Sequence, residues 1–126
     1  MAAQARMVHS VRDICLALPE SSEVETWGHP SFRAGKKTFA ALEIISGRPS
    51  LAVRVEPLEA DVPADDALFF VTPYGRGKWV SIWLDRKAPV SLIRELIGRA
   101  YRIVANKRML AALAGGTASP RPAGEP

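Results

Sequence analysis

The spacing of apolar positions changes twice along this chain. Val11, Ile14, Cys15 and Leu18 recur at helical intervals and mark one apolar stripe. Ser10-Val-Arg-Asp13 has the spacing of a capping box, with Asp where Glu or Gln is commoner, so the pattern predicts a helix that starts at Ser10. Pro19 closes it, because the residue before a proline is pushed out of the α region. From Ser31 onward the period falls to two, and strands are predicted at Ser31 to Ala34, Thr38 to Ile45 and Ser50 to Glu56. Gly35-Lys36-Lys37 and Gly47-Arg48-Pro49 are the turns between them. In the third of these strands Leu51, Val53 and Val55 alternate with Ser50, Ala52 and Arg54, which predicts one buried and one open face. Links this short cannot cross over, so the strands run antiparallel.

The stretch from Phe69 to Asp85 organises the rest. Phe69 to Val71 and Trp79 to Leu84 are β-prone runs around a turn that holds Pro73, Gly75 and Gly77, and together they predict a hairpin. Val80, Ile82 and Leu84 are assigned to the core face, leaving Trp79, Ser81 and Trp83 on the other, near Arg54. Helical spacing then returns in Ile93, Leu96, Ile97, Ala100 and Val104, behind Pro89 in the first turn. Met109, Leu110 and Leu113 either prolong this helix or dock as a separate turn, and Gly115-Gly116 ends it. Residues 19–30 read as an acidic connector, and 57–68 as a polar link. Strands held between terminal helices predict an α+β fold, an antiparallel sheet with the N-terminal and C-terminal helices packed on one face. Residues 8–113 form the single expected domain, and 1–7 and 114–126 the expected flexible tails. Met7 is a second candidate start.

Composition narrows the class. With 126 residues, 48% of them hydrophobic, the chain can bury a core of its own. It has no apolar run of membrane-spanning length and no signal-like apolar segment near its start. Its one cysteine, Cys15, allows no internal disulfide and fits a reducing cytoplasm. The net charge of +4 is unevenly spread: residues 26–108 carry fourteen Lys or Arg against eight Asp or Glu. That excess, held in the body of the domain, favours a polyanionic partner.

The same segments resemble the MmcQ/YjbR family of small bacterial proteins. The resemblance rests on Leu18-Pro19, on Trp27-Gly28-His29-Pro30-Ser31-Phe32-Arg33 and on Lys37-Thr38-Phe39-Ala40. It continues through Leu51-Ala52-Val53-Arg54, Trp79-Val80-Ser81-Ile82, Glu95-Leu96-Ile97 and Tyr101-Arg102-Ile103-Val104. It implies a CyaY-like (frataxin-like) α+β fold and a DNA-binding role, with β-hairpin wings as the contact elements. One departure stands out. Many relatives carry an Asn-Lys-Arg-His-Trp-like run where this chain has Tyr74-Gly75-Arg76-Gly77-Lys78-Trp79, so a histidine is missing there.

The candidate nucleic-acid-binding residues are Arg33, Lys36, Lys37, Arg48, Arg54, Arg76 and Lys78, mostly at predicted turn tips, where cations meet phosphates. Taken blandly, they are solvated charges that keep sheet edges soluble. Trp79 and Trp83 are candidates for stacking on unpaired bases, against a commoner role in packing. Cys15 on the apolar stripe reads as a buried small hydrophobe, and His29 as a structural turn histidine. A metal site would need several converging ligands, and the first helix offers too few carboxylates for iron. No nucleophile elbow, HExxH or acid–base pair stands out, so neither an enzyme nor a cofactor is expected. The leading reading is DNA binding through basic hairpin turns. The alternative is a protein- or small-ligand-binding module that uses the sheet face.

Overall fold

The computed structural model describes residues 2–26, 28–55, 68–71, 78–85 and 89–115. The chain runs α1 (Ala2–Leu16), β1 (Ser21–Thr26), β2 (His29–Ala34), β3 (Lys37–Ile45), β4 (Arg48–Arg54), β5 (Phe69–Val71), β6 (Trp79–Trp83), α2 (Val90–Val104) and α3 (Lys107–Gly115). The fold is α+β: the described residues form six antiparallel strands in the order β1-β2-β3-β4-β6-β5, with helices from both ends of the chain. β1 to β4 form a meander. The chain then travels to the far edge for β5 and returns as β6, so it is β6 that zips onto β4, with Arg54 opposite Trp79 and Ser50 opposite Trp83.

Phe32, Ala40, Leu42, Leu51, Val53, Val80, Ile82 and Leu84 join Val11, Cys15, Ile93, Ile97, Ala100 and Tyr101 in one core between sheet and helices. Val80, Ile82 and Leu84 therefore face the way their alternation predicted. A register shift between Phe32 and Arg33 moves the β3 partner from Ala40 to Thr38 and leaves Phe39 as an extra residue. Such a bulge lets two successive side chains turn to one side. Phe39 and Ala40 both enter the core, and Phe39 meets Tyr101 edge-on at 5.6 Å between ring centroids. The Tyr101 hydroxyl donates to the Pro19 carbonyl at 2.7 Å, tying α2 to the link between α1 and β1.

Two local expectations are corrected, and one open alternative is resolved. The first helix begins at Ala2, with Ser10 in its interior. The apolar stripe continues back through Met7 and Val8, which pack against the core, so tertiary burial outweighs the capping signal at Ser10 and draws residues 2–7 into the helix. The connector expected at 19–30 contains β1, an edge strand of polar sequence, SSEVET. Its pairing with β2 and the bidentate Arg12–Glu23 contact to α1, at 2.8 and 3.1 Å, hold it where propensity does not. The C-terminal apolar cluster forms a separate helix, α3, with Met109 buried. Ala114 and Gly115 belong to that helix. The tail expected beyond them lies outside the described residues, as does the turn between β5 and β6.

Candidate functional site

An antiparallel meander alternates its turns between the two ends of the sheet, and this sorts the candidate cations. The β2–β3 turn carries Lys36 and Lys37, with Arg33 just before it, opposite Thr38. Gly35 opens that turn at φ +62°, the glycine position of a two-residue hairpin. β4 finishes at this same end with Arg54, whose cross-strand partner Trp79 begins β6. The Val55 amide donates to the Lys78 carbonyl at 2.8 Å, which carries the pairing one step further and fixes Lys78 there. Five cations thus gather at one end of the sheet. Lys36, Lys37 and Lys78 are exposed, while Arg33 and Arg54 are half-buried. None of the five has an ion-pair partner among the described residues, and the Nε atoms of Arg33 and Arg54 are buried without a hydrogen-bond partner there. The one acidic residue described at this end, Glu20, is already held by Arg108 at 2.6 and 2.7 Å, and that contact lowers its carboxyl pKa.

Arg48 separates from this group. It follows the Ser46-Gly47 turn at the opposite end, where it makes a bidentate contact to Asp85 at 2.7 and 2.9 Å. Its guanidinium also lies 3.8 Å from the centroid of the Trp83 ring, and Trp83 stacks on Phe70 at 4.2 Å. Arg48 is therefore a neutralised, stacked residue that closes this end of the β4–β6 pair, and the hydrogen bond to Asp85 raises its pKa. Arg76, the remaining candidate, lies outside the described residues.

Trp79 and Trp83 both sit half-buried on the face turned away from the helices, so neither joins the helix-side core. That face is less open than the alternation suggested. Its central positions are Ser31, Ala41, Ser50, Ala52 and Ser81, all small and all buried, with larger side chains around them. The result is a cavity of about 450 Å³ lined by Thr26, His29, Ser31, Thr38, Ala41, Glu43 and Trp79, a size typical of ligand pockets. His29 contributes to this cavity as the first residue of β2, which corrects its reading as a turn histidine. Its Nε2 is 3.4 Å from Glu43 Oε2, and Glu43 is almost wholly buried. Thr38 and Trp79 lie towards the basic end, His29 and Glu43 towards the other. Sequence reasoning missed the cavity, although the run of small residues on the outer positions of neighbouring strands carried its signal.

Cys15 is fully buried on α1, and burial pushes its thiol up to about 12, so it is protonated and inert at neutral pH. Among the described residues, no three His, Cys, Asp or Glu side chains group in a way that could hold a metal ion. Nor, among them, is any helix long and apolar enough to cross a membrane.

Comparison with known proteins places this geometry in a family. The fold matches the crystal structure of a Deinococcus radiodurans protein with a DUF419 domain at a TM-score of 0.69, with 22% identity, over 85% of this chain and 87% of that one. A Pseudomonas syringae protein matches at a TM-score of 0.58, with 13% identity, over 82% of this chain and 98% of that one. At such identities these likenesses speak for the fold alone. No curated protein sequence matches the chain. The family model described as YjbR aligns with residues 16–103, from the end of α1 through the sheet and most of α2, and the chain belongs to the YjbR family.

Proposed function

We propose that this protein is a non-enzymatic DNA-binding domain that contacts the phosphate backbone through the basic end of its sheet. The observation that carries the reading is the gathering of Arg33, Lys36, Lys37, Arg54 and Lys78 at one end, with no ion-pair partners among the described residues. Solvated charges that serve only to protect edges have no reason to collect at one end, whereas phosphate binding requires several cations within reach of one strand. Phosphate contacts position a protein without reading sequence, so this interface is expected to bind with little base preference. The single thiol is buried and unpaired, which supports a reducing, cytoplasmic setting.

The test is a titration of labelled duplex and single-stranded DNA at several salt concentrations. Binding that weakens steeply with salt is expected, and no binding even at low salt rejects the proposal. The sheet-face cavity favours a second reading, a small-ligand-binding module without a nucleic-acid role. That reading predicts salt-insensitive binding of an uncharged ligand and no effect of removing Lys36, Lys37 and Lys78.

A further inference from the structure

We infer that the sheet-face cavity takes a single unpaired nucleotide, with its base along Trp79 towards Glu43 and its phosphate at the basic end. The inference rests on the nucleic-acid reading above and adds to it a site that backbone binding does not need.

The cavity is polarised along the strands. Thr38 and Glu43 both line it and, with Phe39 bulged between them, stand four ladder positions apart on β3, about 13 Å at the usual strand rise. At the Thr38 end lie the cations. Arg33 is opposite Thr38 and Arg54 opposite Trp79, and each carries a buried Nε with no hydrogen-bond partner among the described residues. Both side chains stand on the cavity's own face of the sheet, next to its lining residues Thr38 and Trp79, and their charge suits an anion at that end. At the other end the charge is reversed, because Glu43 presents buried carboxyl oxygens beside His29. A carboxylate offers only acceptors, so the deep end selects a group with N–H donors. Between the two ends, Ala41 and Ser31 keep the floor low and Trp79 offers an indole for stacking. A planar ring with N–H donors at one end and an anion at the other is the chemistry of a nucleotide. Among the bases, guanine turns two adjacent N–H donors outward and complements a carboxylate best. An unpaired base is required, since the donors that Glu43 would accept are occupied in a duplex.

The same chemistry is met in a free mononucleotide and in a single strand, and calorimetric titrations separate the sources. Guanosine and uridine monophosphates, a short single strand and a duplex are each titrated into the full chain. GMP is expected to bind about tenfold more tightly than UMP, a modest margin for one recognition contact. Binding of GMP without the single strand identifies the free nucleotide as the ligand, and binding of both identifies the strand. Ala41→Leu raises the cavity floor without touching a charge. It is expected to weaken GMP and single-strand binding at least tenfold while leaving salt-dependent duplex binding intact. Glu43→Gln is expected to reduce the preference for GMP over UMP. The inference is overturned if no nucleotide or single strand binds, if Ala41→Leu binds GMP like the parent, or if guanosine without its phosphate binds as tightly as GMP. Duplex binding that persists in any of these cases leaves the backbone reading standing. Loss of duplex binding alone, with GMP still bound, sinks that reading and not the cavity.

Discussion

If the five cations at the end of the sheet meet phosphates, the salt dependence of binding counts them. Each phosphate neutralised on B-form DNA contributes about −0.9 to the slope of log K against log salt. Arg33, Lys36, Lys37, Arg54 and Lys78 together predict a slope of about −4.5. Raising salt from about 50 to 200 mM then weakens binding about 500-fold. The informative variant is Lys36→Ala/Lys37→Ala/Lys78→Ala, because these three side chains are exposed and their loss leaves the core untouched. Arg33 and Arg54 are poorer choices, since both are half-buried and truncating them risks the fold. With two cations left, the slope falls to about −1.8, and the same change in salt costs only about twelvefold. Fluorescence anisotropy with a labelled duplex at four or five salt concentrations gives both slopes, with unchanged circular dichroism as the folding control. Arg48→Ala is the matched comparison, since Arg48 sits at the other end and is paired with Asp85. A triple variant that keeps a slope near −4.5, or an Arg48→Ala variant that lowers it equally, refutes the assignment of the interface to this end.

Three further outcomes follow from the fold. Arg48→Ala removes the contacts to Asp85 and to the Trp83 ring, and thermal denaturation should show a lower Tm with DNA affinity unchanged. Gly35→Ala places a Cβ 2.9 Å from Met109 Cε at a backbone φ of +62°; the methionine end can move aside but the backbone cannot, so chemical denaturation should report a loss of about 1–3 kcal/mol. Cys15 has its thiol pKa raised by burial from 9.0 to about 12, so its contribution to stability is complete below the unfolded pKa near 9 and is lost as pH rises towards 12. Three units amount to about 4 kcal/mol; urea melts between pH 8 and 11 should fall more steeply for the parent than for Cys15→Ala, and equal pH dependence contradicts the assignment. Tyr101, whose pKa is raised by burial and then by Glu20, falls in the same direction in both proteins and so cancels from that comparison.

How far the fold was legible depended on whether a residue's surroundings lay in its own segment. Period-two alternation named the core face of β4 and β6 because Leu51, Val53, Val80 and Ile82 report burial locally. The same logic failed for β1, whose six residues include one aliphatic side chain, Val24. That strand exists because β2 supplies a ladder and Arg12 a charged contact, and neither is written in residues 21–26. Ser10 misled in the opposite way. A genuine local signal was outweighed by Met7 and Val8, whose packing only the tertiary structure reveals.

The candidate site shows the same division more sharply. Lys36, Lys37 and Lys78 were visible as turn cations, yet chain order says nothing of which turns share an end of the sheet. Arg48 looked equivalent to them until topology sent it to the far end, beside a carboxylate thirty-seven positions away. The cavity is harder still, because no segment contains it. Thr26, His29, Thr38, Glu43 and Trp79 come from four strands, and their convergence depends on the bulge at Phe39. Without that extra residue, Thr38 could not share a face with Ala41 and Glu43, since in a regular strand positions 38 and 41 point opposite ways. One inserted residue thus sends Phe39 to Tyr101 and leaves Thr38 beside Ala41. The packing of the core and the opening on the outer face are two consequences of the same irregularity. A variant that removes the bulge by deleting Phe39 is therefore expected to damage both together, whereas Ala41→Leu should close the cavity and spare the core.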